Sequence, residues 1–133
     1  MSQENTELVR RAFAAANAGG IEAALAFYAP DVVFYPIAAW TEDAEYRGHD
    51  GVRALNAIFT NAFEDFAWDV REIREAGGRV LVRTDMTGRV KGSAAPIREQ
   101  YAVVCSDFRD GMCGEVRFFQ TWHEALGAVG LAD

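Results

Sequence analysis

The sequence predicts an α+β fold: helices on one face of a curved antiparallel sheet, arranged as a cone with an internal pocket. Three observations carry this expectation. The 133 residues amount to one domain of ordinary size, 1–133. Helical periodicity fills the first half, apart from one short strand. From Trp68 onward the pattern changes to β-branched, alternating segments.

In TELVRRAFAAANAGG, Val9, Ala12, Phe13 and Ala16 share one helix face, and Gly19-Gly20 supplies the stop, since glycine accepts the left-handed cap conformation. A short second helix puts Ile21, Ala24, Leu25 and Tyr28 on one side and is ended by Pro30. DVVFYP reads as a short strand closed by Pro36. Residues 37–49 have no period and read as a loop. Asp50 is a good N-cap for a third helix, in which Val52, Leu55, Phe59, Ala62, Phe63 and Phe66 keep helical spacing.

AWDVREIR, RVLVRTDMTGRV and IREQYAVVCSDF read as strands, with EAGG a turn between the first two. Arg109-Asp110-Gly111 reads as a three-residue hairpin loop with Gly111 at positive φ. That register sets Phe108 opposite Met112, Val104 opposite Val116 and Ala102 opposite Phe118, all on one sheet face. Tyr101, Val103, Cys105 and Asp107 then lie on the other. Cys105 and Cys113 are not opposite each other, so no disulfide is predicted. Thr121 and Glu124 form a capping box for a last helix.

Composition narrows the function. Half the residues are hydrophobic and a quarter charged, which excludes a disordered chain. A net charge of −7 argues against nucleic acid, whose phosphates attract clustered Lys and Arg. No stretch approaches the roughly 20 apolar residues of a membrane span, and MSQENTELVRR lacks an apolar signal core, so the expectation is a cytoplasmic protein without a membrane partner. Two cysteines without a CxxC spacing and two histidines, His49 and His123, argue against a dedicated zinc site, and no cofactor is expected.

NAGGIEAALAFYAPDVVF, YRGHDGVR and FRDGMCGEVRFFQTWHEAL, in that order and spacing, resemble the NTF2-like superfamily, specifically its SnoaL-like branch, which includes polyketide cyclases and is related to ketosteroid isomerases. The resemblance covers essentially the whole chain and implies the cone fold. The fold hosts many chemistries, so each is carried over by residue. The isomerase's oxyanion tyrosine falls on Ala12, its base on Tyr35 (Pro36 without a gap) and its aspartic acid on Val104, so none of those roles is retained. Epoxide-hydrolase-like members use an Asp-Arg-Asp set. Arg83-Thr84-Asp85 imitates part of it locally, but alignment puts the family's Arg and Asp near Met86 and Gly88, and the second aspartate on Thr121. The dehydratases use strand histidines, absent here, and the cyclases an inner-face acid that aligns with Val104. The resemblance also implies a homodimer through the outer sheet face, with Arg83, Asp85, Asp107, Glu115 and Arg117 at or near the interface.

On the predicted register the pocket is lined by Val80, Val82, Thr84 and Met86 from one strand. Gln100, Ala102, Val104 and Ser106 come from the next, with Val116, Phe118 and Gln120 from the last. Tyr28, Tyr35 and Trp40 close the mouth, with Phe13, Phe59 and Phe63 from the helices. The pocket has no obvious carboxylate, so acid–base catalysis has no ready group. The expected partner is a small apolar or aromatic molecule. If the protein is an enzyme, the expectation is a cofactor-independent isomerase, cyclase or hydrolase acting on a carbonyl-bearing or polycyclic substrate. Tyr35 would be the hydrogen-bond donor, Gln100 and Gln120 orienters, and Tyr28 and Trp40 walls. The alternatives are a non-catalytic ligand-binding or accessory dimer, and a strand register slipped by one, which would bring Arg83, Asp85, Glu99, Glu115 and Arg117 inside as a water-activating set.

Overall fold

A computed structural model describes residues 2–131. Helix α1 (Ser2–Gly19) leads through the one-turn α2 (Ile21–Ala24) and a 3₁₀ turn (Leu25–Phe27) into β1 (Tyr28–Tyr35). A two-residue strand β2 (Tyr46–Arg47) precedes α3 (Gly48–Ala62). Four strands follow, β3 (Phe63–Ala76), β4 (Arg79–Val90), β5 (Pro96–Arg109) and β6 (Met112–Phe119), and then α4 (Trp122–Ala128). The sheet order is β2-β1-β6-β5-β4-β3. Among the described residues, only the β1–β6 pairing is parallel.

The predicted elements are present, with changes at their ends. The third helix stops at Ala62 instead of running to Phe66, because Phe63 already pairs with Val90 in the β3–β4 ladder. Phe63 and Phe66 suit a helix period but are held as strand. Asp50 is not the N-cap; Arg47 is, and Asp50 sits in the first turn paired with Arg53 at 2.7 Å. Tyr28 opens β1 rather than ending a helix, and Tyr46–Arg47 form a short strand inside the expected loop. The last helix has the predicted capping box, with the Thr121 hydroxyl accepting from the Glu124 amide at 3.1 Å.

The larger correction concerns the β5–β6 register. Arg109 pairs with Met112, so only Asp110 and Gly111 turn the chain, both at positive φ (54° and 72°). This is the two-residue turn that Asp-Gly favours because its twist matches that of the strands. Cys105 therefore faces Val116, and Val103 faces Phe118. Against the predicted three-residue loop, β5 has moved by one position and its two faces have exchanged. Tyr101, Val103 and Cys105 point into the cone, while Ala102 and Val104 point out.

Those outward residues explain a second difference: α4 lies on the opposite side of the sheet from the other helices. Ala125, Leu126 and Val129 cover Leu81, Ala102 and Val104 in an apolar cluster separate from the main core. Leu81 and Leu126 are essentially sealed from water, each contributing roughly 1.5–3 kcal/mol by burial. Inside the cone, α1 and α3 pack Val9, Ala12, Val52, Leu55 and Phe59 against the inner face of the sheet.

Both sheet edges are protected. At one edge, β2 offers only two residues. At the other, β3 is clamped by Asn17 of α1, whose side-chain oxygen accepts from the Trp68 amide (2.9 Å) while its nitrogen donates to the Trp68 carbonyl (2.7 Å). Beyond the turn, Asp107 adopts a left-handed conformation (φ 55°), and a Cβ on the buried Gly114 would lie 2.7 Å from the Asp107 carbonyl oxygen and 2.5 Å from its Oδ2. Gly114→Ala should therefore lose about 1–3 kcal/mol of stability. Urea unfolding that gives a wild-type midpoint would contradict this packing.

Candidate functional site

The inner face of the cone is filled unevenly because α1 carries small residues where it crosses the sheet. Ala12 and Ala16, one turn apart, leave a gap that Phe13 and Ile21 border on one side. From α3, Val52, Leu55, Asn56 and Phe59 close the opposite side. The sheet supplies the floor: Tyr28 and Phe34 of β1, Cys105 of β5, Val116 and Phe118 of β6, and Trp68 of β3. The result is a cavity of about 50 Å³, room for roughly one or two water molecules. Among the described residues no carboxylate lines it.

Its polar groups are neutral. Tyr28 is 9% exposed, its ring set edge-on against Phe34 at 5.1 Å. Burial pushes its pKa well above the ordinary phenol value, with smaller contributions from Cys105 and Cys113, so the hydroxyl keeps its proton and serves as a donor. His49 fixes the backbone at this residue: its Nε2 lies 3.0 Å from the Tyr28 carbonyl, which can only accept, so that nitrogen carries the proton. Asn56 adds an amide. The Cys105 thiol is pushed up by its Cys113 neighbour and by burial, making it an inert wall rather than a nucleophile. Cys113 lies behind it, its sulfur 3.2 Å from the Glu115 carbonyl, and both cysteines are free.

Of the residues expected in the pocket, Tyr28, Phe59, Val116 and Phe118 line the cavity. Val82, Thr84 and Met86 are buried on the inner face, beside but not on its wall. Phe63 is partly buried against the core. Trp40 packs over the mouth, its ring 4.9 Å from Phe59 and 5.1 Å from Phe118.

Four expectations are corrected. Tyr35 faces out, because strand alternation turns Phe34 inward; the Arg117 guanidinium sits 3.9 Å over the Tyr35 ring. Gln100 and Val104 lie on the outer face through the β5 shift, Val104 under α4. Gln120 follows the end of β6 and is exposed. The Arg83/Asp85 set is also outside, because the shift moves β5 and leaves β4 as predicted: Arg83 bonds Glu72 at 2.6 Å, and Asp85 bonds Arg98 at 2.7 Å. Glu115 and Arg117 share that outer side. Glu99 falls opposite the inward Met86 but is exposed and is not on the cavity wall.

Sequence reasoning missed Asn56, Cys105 and Trp68. Asn56 had a signal: it sits four residues after Val52 and three before Phe59, a polar side chain on an apolar helix face. Cys105 needed the correct turn. Among the described residues no cluster of three or more His, Cys, Asp or Glu is placed to hold a metal, and no helix is long and apolar enough to cross a membrane.

An open, curved sheet around an N-terminal helix, with a small apolar chamber between them, is the architecture of NTF2-like proteins. Within that class the chain belongs to the SnoaL-like domain family, whose match runs over residues 9–116. No curated protein matches the sequence significantly. Solved structures do. An NTF2-like protein from Burkholderia xenovorans LB400 shares 26% identity over 97% of both chains, with a TM-score of 0.72. A protein with a ketosteroid isomerase-like fold from Catenulispora acidiphila, crystallised with trimethylamine, shares 19% identity over 94% of this chain and 93% of that one, with a TM-score of 0.73. TerC, co-crystallised with polyporic acid, shares 19% identity over 95% of this chain and 97% of that one, with a TM-score of 0.76.

The Tyr28 environment has a measurable consequence. A phenol whose folded pKa lies above its unfolded value of about 10 binds its proton more tightly in the native state. Stability from this group is therefore complete below about pH 10 and declines as the pH rises above it. In a spectrophotometric titration of the four tyrosines, Tyr28 should ionise only as the protein unfolds, and Tyr28→Phe should remove that phase.

Proposed function

We propose that this protein binds a small, mostly apolar molecule carrying one hydrogen-bond acceptor, held in the inner cavity with its acceptor toward Tyr28 and Asn56. The observation that carries the reading is the pairing of an apolar chamber with a buried tyrosine on its wall that keeps its proton. An acceptor on a ligand receives a hydrogen bond from that tyrosine, and the surrounding rings and aliphatic groups take the remainder. The small molecules crystallised with the Catenulispora protein and with TerC support a ligand-binding role for this architecture. The neutral wall favours binding over proton abstraction, which requires a base tuned near the working pH.

A catalytic version of the same site is favoured by one feature, the retained proton on Tyr28. That hydroxyl would polarise a ligand carbonyl in an isomerase, cyclase or hydrolase, the role first assigned to Tyr35. Tyr35→Phe should then leave turnover unchanged while Tyr28→Phe lowers it.

The binding reading is tested with cyclopentanone as probe, by calorimetry and by proton–nitrogen correlation spectra. Wild type should bind it, with shifts at Tyr28 and Asn56. Tyr28→Phe should weaken binding about fivefold to tenfold, the worth of roughly one net hydrogen bond, and Asn56→Ala should weaken it in the same direction. Equal affinity in wild type and Tyr28→Phe would remove Tyr28 from the site. The outer face, where Asp85 joins Arg98 and the strand charges alternate, is where we propose a twofold partner sits. Light scattering at micromolar concentration should then give twice the 14.6 kDa of one chain.

A further inference from the structure

Among the described residues, two buried polar atoms on the inner side of the sheet have no hydrogen-bond partner: the indole Nε1 of Trp40 and the hydroxyl oxygen of Thr84. Thr84 is sealed from solvent altogether. Buried polar groups without partners are rare in folded proteins, and each requires a physical reason. These two are neighbours at one remove. Thr84 stands opposite Tyr101 in the β4–β5 register, and the Tyr101 ring lies 5.0 Å from that of Trp40.

Trp40 is held by rings rather than by bonds. Phe59, Tyr101 and Phe118 lie 4.9–5.1 Å from its ring, and Trp68 lies at 6.4 Å, so four aromatics form a box around the indole. Its segment, residues 36–45, has no helix or strand. A bond from the Trp40 amide to the Ile37 carbonyl and a 2.6 Å contact between the Thr41 and Tyr46 hydroxyls tie it down. Phe59, Trp68 and Phe118 also line the inner cavity. Box and cavity therefore share a wall, and withdrawal of the indole joins them.

We infer that Trp40 is a resident stand-in for a ligand: the aromatic box is a binding site for a planar aromatic ring bearing a hydroxyl or carbonyl, whose polar group reaches the Thr84 hydroxyl when the indole withdraws with its loop. This deepens the small-molecule reading above and rests on it only for the inner half of the chamber. A flat ring makes the same edge and tilted contacts with the four walls that the indole makes. A threonine hydroxyl can donate or accept, so either substituent satisfies it. The withdrawn indole N–H gains water as its partner, which removes the penalty of an unpaired buried donor.

The test is calorimetric titration with 2-naphthol. Trp40→Ala has no plug to displace and should bind it at least about tenfold more tightly than wild type. Thr84→Val keeps the shape but removes the unpaired oxygen, so it should raise Tm by a few degrees. The same change should weaken 2-naphthol binding about fivefold or more, in wild-type and Trp40→Ala backgrounds alike. A residue that serves packing alone would give the first effect without the second. Trp40→Phe, with a smaller ring and no N–H, takes the place of Trp40→Ala should that variant fail to fold, and should also bind more tightly than wild type. The inference is overturned if neither Trp40 variant binds more tightly than wild type, or if Thr84→Val leaves affinity unchanged. If cyclopentanone binds through Tyr28 while no variant binds 2-naphthol, the box assignment falls and the inner-cavity reading stands. If 2-naphthol follows the expected pattern while Tyr28→Phe leaves cyclopentanone binding intact, the box stands and the inner-cavity reading falls.

Discussion

Asp110 and Gly111 hold the chain at positive φ through the tightest turn that joins two antiparallel strands, and the interior of the cone depends on that geometry. Because side chains alternate with a period of two, the turn length decides which half of β5 meets α1 and α3. With two turn residues, Tyr101, Val103 and Cys105 face the helices and Ala102 and Val104 face away. The outward pair, with Leu81, then needs cover, and the capped α4 supplies it. One local backbone choice therefore settles both the lining of the chamber and the placement of the last helix on the far side.

The same constraint marks how far a reading of residues can go. The elements themselves follow from periodicity, because the apolar faces are long and consistent: Val9, Ala12, Phe13 and Ala16 in one helix, Val52, Leu55 and Phe59 in another, and the alternation of RVLVRTDMTGRV. What periodicity leaves open is a parity. Asp-Gly accommodates a two- or a three-residue loop, and the difference of one residue exchanges every β5 side chain between core and outer face. Phe34 and Tyr35 pose the same problem, since both are aromatic and only the fold tells which of them points inward. The end of α3 is ambiguous for a related reason: Phe63 and Phe66 fit a helical stripe, but Phe63 pairs with Val90 in the ladder. Phe59, Val116 and Phe118 line the cavity from elements whose facing several apolar residues set at once, whereas Tyr28 lines it from the start of a strand and not from the helix its spacing suggests.

Charge is distributed in keeping with the chemistry of the chamber. The acidic excess of the chain lies on helix surfaces, loops and the outer sheet face, where it is partly balanced by arginines in pairs such as Glu72–Arg83 and Asp85–Arg98. The wall of the cavity keeps only neutral donors, a phenol whose proton is held by burial and an amide. Such a wall discriminates by shape and by the position of one acceptor, and a charged ligand would lose its hydration there without gaining a counter-ion.

The Asn17 clamp gives the chamber one stiff jaw. Two hydrogen bonds tie the end of α1 to the backbone of β3, so this helix cannot slide along its axis or roll without breaking both. The opposite jaw is held at one end only: His49, at the start of α3, bonds the Tyr28 carbonyl, while the rest of α3 approaches through Phe59 and Asn56 and the Trp40 loop through ring contacts. Mechanical compliance is therefore one-sided. A molecule larger than the resting cavity is accommodated by strain toward α3 and the 36–45 loop, while Ala12 and Ala16 remain a fixed gauge against which its width is measured.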